Sequence, residues 1–209
     1  MMNKNKIKIL IADDHALVRM GCRDLLEGES DIVVTGEAKN GIEVLHQTAK
    51  NPPDLVIMDL MMPQKDGIET TRELKKLHPD VKVLFLTSIT VSDSIARALE
   101  AGADGVILKN SENEELIAAA RIINESGRYI SDEVNRLLSE DPPAPKLSPR
   151  QQEVLSSLIR GLTDEDIARQ LGIAQTSVRT HIEGLFAKVG AGNRSEAIAI
   201  ALRKQLVKF

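Results

Sequence analysis

The chain holds a single cysteine, Cys22, so its 209 residues must fold without an internal disulfide. That usage fits a reducing compartment. Tryptophan is missing, and one tyrosine and three phenylalanines bring the aromatics to only 2%. The cores must therefore be built from aliphatic side chains. No apolar stretch reaches the roughly 18 residues that a membrane helix needs. The opening MMNKNKIKILIADDH is basic and then apolar. Its apolar part spans about six residues before two aspartates intervene, too short for the core of a secretion signal. A cytoplasmic location is the expectation, with no membrane partner. Internal repeats and low-complexity tracts are also missing.

What is present is an ordinary globular balance, 42% apolar and 28% charged, at a length that suits one large domain or two small ones. The net charge of −4 is unevenly spread. Residues 1–145 carry 17 Lys+Arg against 25 Asp+Glu, or −8, whereas residues 146–209 carry 10 against 6, or +4. An acidic body with a small basic tail points to a nucleic-acid partner at the tail. The stretch SEDPPAPK, residues 139–146, lies between them. Its three prolines fix φ and remove backbone donors, so it reads as a short, stiff linker.

Before that linker two patterns alternate. Apolar runs of strand length appear at Ile7–Ala12, Ile32–Val34, Leu55–Met58, Val81–Leu86 and Val106–Leu108. Helical spacing appears at Ala16–Glu27, Gly41–Lys50, Ile68–Leu77, Ser92–Ala101 and Glu114–Glu125. Five β–α repeats with strands apolar throughout imply a parallel sheet covered on both faces. Such sheets bind ligands beyond the carboxyl ends of their strands. Those ends carry Asp13 and Asp14 on the first run, Asp59 on the third, Thr87 and Ser88 on the fourth, and Lys109 on the fifth. The second, closing near Glu37, adds nothing obvious. A single polar residue often does no more than mark a strand's end, but polar residues at the same end of four strands are a constellation.

The stretch DLVIMDLMMP, residues 54–63, shows why that matters, because a buried run ends there on a carboxylate. Three neighbouring carboxylates need protons or a cation to coexist. Hard oxygen donors without a nearby Cys or His favour Mg²⁺. A carboxylate can act as a nucleophile and become an aspartyl phosphate, and phosphoryl transfer requires mainly positioning and charge neutralisation. Lys109 and the Thr87 hydroxyl are the right types to contact the phosphoryl oxygens.

The motifs IADDH, MDLMMPQKDG, LTS and ILK, at these spacings, resemble the receiver domain of bacterial two-component response regulators over roughly residues 6–127. The resemblance implies a flavodoxin-like α/β domain, a five-stranded parallel sheet in the order 2-1-3-4-5. It makes Asp59 the phosphoacceptor. Asp13, Asp14 and Asp59 would hold Mg²⁺ with the Met61 carbonyl, and Thr87, Ser88 and Lys109 would serve as catalytic and switch residues. Pro63 and Gly67 match the loop after the phosphoacceptor strand. Many receivers carry an aromatic residue on the fifth strand that turns inward on activation. Here that position is Val106, which is stiff and has little area to relocate, so Thr87 would act with backbone movement of the 88–92 loop. Receivers border the path of hydrolytic water with the side chains two places after the acceptor and after the switch threonine. Here these are Met61 and Ile89, neither of which can orient water, so a slow loss of phosphate is expected. The resemblance places kinase docking near the first helix, around Ala16–Leu25. It makes the receiver a promoter of its own phosphorylation and dephosphorylation, not a conventional enzyme.

In the tail, Ser148–Pro149 reads as an N-cap followed by proline at the first helical position. Val154, Leu155, Leu158 and Ile159 form an apolar stripe. Thr163 can cap a second helix over Asp164–Leu171, Gly172 supplies a turn, and further helices follow from about Gln175 to Val189 and Arg194 to Lys204. Ala168, Gly172 and Val178 have helix-turn-helix spacing. LSPRQQEVL, DIARQLGI, SVRTHIEGLFAKV and NRSEAIAIA resemble the LuxR-type (NarL/FixJ-type) DNA-binding domain, an all-α module of four helices, across nearly all of residues 147–207. The domains are then 1–130, a helix and linker at 131–146, and 147–209.

That resemblance implies a third helix in the major groove. Arg179, Thr180 and Glu183 would face bases or adjacent phosphates, and Gln175, Thr176 and Ser177 the phosphates, with Lys188 and Arg194 as further phosphate ligands. Val178, Ile182 and Leu185 read as core, and His181 as structural or phosphate-facing. Acids at Glu165 and Glu183, glycine at Gly184 and Gln151 in place of the usual glutamate depart from the family pattern and point to weak binding by a monomer. Ile198, Ala201 and Leu202 form the dimer-surface stripe, or pack on the domain's own core, or both. The implied partners are a sensor histidine kinase, double-stranded DNA with paired half-sites, a second copy when phosphorylated, and RNA polymerase. A phosphatase resembling the haloacid dehalogenases would need an acid where Met61 stands. A regulator used without phosphate is the other rival, kept open by Val106.

Overall fold

A computed structural model describes residues 6–144, 146–204 and 206–207; Pro145 of the proline-rich stretch lies outside the described residues. The chain forms two compact units: the first runs to Thr90 and resumes over Ile95–Glu140, and the second takes Val91–Ser94 together with the stretch from Asp141 onward.

The first unit alternates strand and helix: β1 (Ile7–Ala12), α1 (Ala16–Glu27), β2 (Ile32–Ala38), α2 (Gly41–Lys50), β3 (Leu55–Met58), α3 (Gly67–Leu77), β4 (Lys82–Thr87), α4 (Ser92–Glu100), β5 (Gly105–Leu108), α5 (Asn113–Ser126), β6 (Tyr129–Ile130) and α6 (Asp132–Glu140). The strands pair in parallel in the order β2-β1-β3-β4-β5-β6. The expected order of the first five holds, and the sheet has a sixth strand. Two residues pairing with Gly105 and Val106 are too short to show a periodicity. β2 runs on to Ala38, four residues past the apolar run. It is an edge strand, so Thr35, Gly36 and Glu37 stay partly or fully exposed and polar there.

The apolar runs work because alternate residues feed two cores. Leu10, Ala12, Val56, Met58, Phe85, Val106 and Leu108 face one side with Ile68, Leu74 and Ile95. Ile9, Ile11, Leu55, Ile57, Leu84 and Ile107 face the other with Leu26, Leu116 and Ile123. This is the two-sided burial of a parallel sheet. Val134 of α6 is fully buried in the first of these cores. The helix continues through Ser139 and Glu140, so the stiff linker starts two residues later than composition suggests.

The second unit holds α7 (Pro149–Ile159), α8 (Asp164–Leu171), α9 (Gln175–Val189) and α10 (Arg194–Arg203) around Leu147, Val154, Leu155, Leu158, Ile167, Val178, Leu185 and Ala201. Capping boxes close α7 through Ser148 and Gln151 and α8 through Thr163 and Asp166. Gly172 ends α8 at φ +64°, the left-handed conformation that glycine tolerates best. Gln151 therefore keeps the reciprocal cap that a glutamate would make. Its amide nitrogen also lies where a Cβ on Gly184 would come within 3.3 Å, so the two departures from the family pattern lie against each other.

Candidate functional site

The carboxyl ends of β1, β3, β4 and β5 meet at one edge of the sheet. Asp13 and Asp59 are almost fully buried, at 2% and 6% exposure. The Lys109 ammonium lies 2.7 Å from Asp13 Oδ2 and 3.3 Å from Asp59 Oδ2, tying three strands together. The other oxygen of Asp59 accepts from the Leu60 N–H at 2.9 Å. Burial pushes the Asp59 carboxyl above its ordinary range; Lys109 pulls it back, and Asp13 adds to the rise. For Lys109 burial works toward loss of the proton, but the hydrogen bond to Asp13 and the two carboxylate charges outweigh it and hold the ammonium on.

Thr87 is fully buried, and its Oγ1 accepts from the Ile89 N–H at 3.1 Å. Thr87 O also takes the Lys109 N–H at 2.8 Å, fixing the end of β5 to the end of β4. Ser88 is exposed, and Val106 is fully buried opposite Phe85 in the sheet register. Met61 sits in the loop after β3 and is 62% exposed, and Ile89 packs against the core that holds Phe85 and Val106. Gly67 brings that loop back. A Cβ there would fall 2.3 Å from the Asp59 carbonyl oxygen and 2.7 Å from the Phe85 ring, so no other residue fits without displacing the end of β3.

Two corrections concern the surroundings. A histidine does lie beside the acids: His15 Nδ1 is 3.1 Å from Asp13 Oδ1 and 2.8 Å from Asp14 Oδ1. Its place directly after the two aspartates was the available signal. The end of β2 also contributes. Glu37 pairs with Arg19 at 3.0 Å and Arg23 at 2.7 Å, and Arg19 donates to the Asp13 carbonyl at 2.7 Å. Glu37 thus braces Asp13 from behind, through arginines one turn apart on α1. Asp13, Asp14 and His15 offer ligand atoms within 4.8 Å of one another. Buried carboxylate oxygens with a single lysine to neutralise them fit a hard divalent cation, and the imidazole adds a softer donor at the rim.

In the second unit Gln175, Thr176, Ser177, Arg179, Thr180 and Glu183 are all exposed on α9, while Val178 and Leu185 are buried and Ile182 is partly so. Ala174 precedes α9 without a side-chain cap; its carbonyl takes the Ser177 and Val178 N–H groups, and the N–H groups ahead of them suit an outside acceptor. His181 is half-buried. Lys188 is exposed and donates to the Lys146 carbonyl at 3.1 Å. Arg194 is half-buried, donating to the Leu162 carbonyl and facing Asp164 at 3.5 Å. Of the α10 stripe, Ala201 is buried in the domain's own core and Ile198 packs against it; only Leu202, 49% exposed, is open to a partner.

Residues 9–121 match the response regulator receiver domain family, and residues 145–201 match the bacterial regulatory proteins, luxR family. The response regulator protein VraR of Staphylococcus aureus is 33% identical, with 97% of this chain and 99% of VraR covered. A structure of two RcsB dimers bound to two parallel DNAs superposes with a TM-score of 0.71 at 25% identity, over 95% of this chain and 99% of that one. The response regulator ChrA of a heme-sensing two-component system matches with a TM-score of 0.57 at 34% identity, covering 97% and 100%.

Proposed function

The chain belongs to the two-component response regulators that join a receiver domain to a LuxR-type DNA-binding domain, and on that premise we propose that phosphorylation of Asp59 controls how it binds DNA. The family membership makes it a regulator of transcription. The observation that carries the finer reading is Lys109, held between buried Asp13 and Asp59 with Thr87 on the next strand. An oxygen of Asp59 forms the new P–O bond as the bond to the donor's leaving group breaks. Lys109 meets the incoming phosphoryl oxygens, and Thr87 gives up its contact with Ile89 N–H to reach them, carrying the 88–92 loop with it. Asp13, Asp14, Asp59 and the Met61 carbonyl would hold Mg²⁺, which supplies charge neutralisation when bound. The receiver promotes its own phosphorylation and dephosphorylation and is no conventional enzyme.

The donor in this reading is a sensor histidine kinase. Leu17 and Met20 on α1, 77% and 54% exposed, support docking there. The exposed face of α9 supports major-groove binding to paired half-sites by a phosphorylated dimer, as does RcsB's record as dimers on DNA. RNA polymerase is the further partner. Among the described residues no helix is long and apolar enough to cross a membrane, and we place the regulator in the cytoplasm. Intact mass after incubation with acetyl phosphate tests the switch. We expect a gain of one phosphoryl group, roughly 80 Da, that needs Mg²⁺. A wild-type chain that stays unmodified with acetyl phosphate and with a cognate kinase would favour the regulator used without phosphate.

Two further outcomes follow from the side chains at Met61, Ile89 and Glu183. Because neither Met61 nor Ile89 can orient water, Met61→Asn with Ile89→Lys should shorten the half-life of the phosphorylated form several-fold. The decay of the phosphorylated mass in Mg²⁺ buffer measures this, and an unchanged rate rejects the reading of those positions. Glu183 is an acid on the proposed groove face, so Glu183→Ala should bind duplex DNA a few-fold more tightly. Fluorescence anisotropy with a labelled duplex reads it, and uniformly weaker binding would remove Glu183 from the interface.

A further inference from the structure

Asp164 opens α8, and its two carboxylate oxygens face two different arginines. Oδ1 is 3.5 Å from Arg194 Nη1, and Oδ2 is 3.8 Å from Arg179 Nε. The neighbouring acids have other work. Glu165 pairs with Arg169 at 3.0 Å, and Asp166 closes the capping box with Thr163. Asp164 is therefore not the residue that caps its helix. It is the one acid of that turn directed at α9 and α10, from 15 and 30 residues away in sequence.

We propose that Asp164 is a positioning residue that sets the DNA specificity of α9. The inference rests on the DNA-binding reading of that helix and deepens it. The Arg179 side chain is 65% exposed and long. Left free, a guanidinium swings to whichever phosphate is near, which adds affinity for every sequence alike. Discrimination requires its nitrogens to meet guanine O6 and N7 together, in one orientation. Asp164 meets Arg179 at Nε, the inner end of the guanidinium, which leaves the terminal pair to point outward. Exposed contacts of this length bias an orientation a few-fold rather than lock it. The same carboxylate, with the Leu162 carbonyl, restrains Arg194 from acting as a loose phosphate ligand. Its own charge also repels the DNA backbone. Each effect trades general affinity for selectivity.

The test uses the full chain with Mg²⁺ and beryllofluoride, a phosphoryl mimic, and a pool of random-sequence duplexes. Binding to the pool is measured against salt, and the bound fraction is sequenced to score enrichment. Asp164→Asn should bind the pool about threefold to tenfold more tightly, steepen the salt slope by about one as Arg194 is freed, and lower the enrichment. In an Arg179→Ala background the same change should no longer alter enrichment but should still tighten pool binding, and Asp164→Glu should restore part of the selectivity. Unchanged affinity and enrichment in Asp164→Asn overturns the proposal. So does a loss of both together, since that marks a purely structural role, and matching circular dichroism melts guard against misfolding. A wild-type chain that binds no duplex defeats the DNA reading itself, and wild type alone reveals that outcome.

Discussion

Asp59→Asn should abolish phosphoryl uptake and, in metal-free buffer at neutral pH, should melt at a higher temperature than wild type. The first effect follows from the lost nucleophile. The second follows from burial, which is the largest influence on this carboxyl and raises its pKa in the folded chain, with Asp13 acting in the same direction. The folded state then holds the Asp59 proton more tightly than the unfolded chain, so ionisation works against folding at every pH above the folded-state pKa. Asparagine removes that penalty and still offers an oxygen to the Leu60 N–H. The advantage of the variant should shrink as the pH falls through the folded-state pKa toward the ordinary value near 3.9. Saturating Mg²⁺ should reverse the ranking, because a ligand that binds the native acid site stabilises wild type by mass action. Thermal melts in EDTA and in Mg²⁺, between neutral and acid pH, measure all three. A variant less stable than wild type in EDTA at neutral pH would mean that the Lys109 pairing, not burial, dominates at Asp59.

The site residues at the strand ends were legible because the fold puts chemistry and topology in one place. Apolar runs identify strands buried on both faces, and whatever polar residue ends such a run lies at the sheet's ligand-binding edge. Asp13, Asp59, Thr87 and Lys109 were found by that rule and do converge there. The rule weakens at sheet edges. β2 has one neighbour, so Thr35 and Glu37 near its end stay polar, and its contribution, Glu37, works through Arg19 and Arg23 on a separate helix. β6 is two residues long and gains its identity only from pairing with β5.

In the second unit the capping residues Ser148 and Thr163 and the turn at Gly172 were readable one by one, since caps and left-handed turns are local. Contacts between helices were not. Ala201 carries the same apolar signal as Leu202, yet one is buried in the core and the other is half exposed, because helical periodicity does not tell a partner helix in the same domain from one in a second copy. Asp164 reads in sequence as one more acid in a helix's first turn. Only the packing of α8 against α9, with the approach of Arg194 from α10, sets it between two arginines.

The variant that most burdens the site is Lys109→Met. It leaves the Asp13 and Asp59 carboxylates facing one another without their shared cation. Removing one partner of a buried ion pair costs about 3–5 kcal/mol, and Lys109 is 18% exposed, so solvent screening relieves little of it. In EDTA at neutral pH the receiver should therefore unfold at markedly lower denaturant than wild type. The deficit should narrow in acid. Lys109 holds the Asp59 pKa down, so its removal raises that pKa further, and the lost stability returns as the pH falls through it. A divalent cation should restore the variant more fully than it stabilises wild type, because it no longer competes with an ammonium 2.7 Å from Asp13. Mg²⁺ affinity should rise by at least about tenfold, given the several kcal/mol that one unit charge at this distance represents near a protein surface. Denaturant melts across a Mg²⁺ titration read both effects. If wild type and variant keep the same stability in EDTA and the same Mg²⁺ affinity, Lys109 is not the counter-charge of the acid cluster.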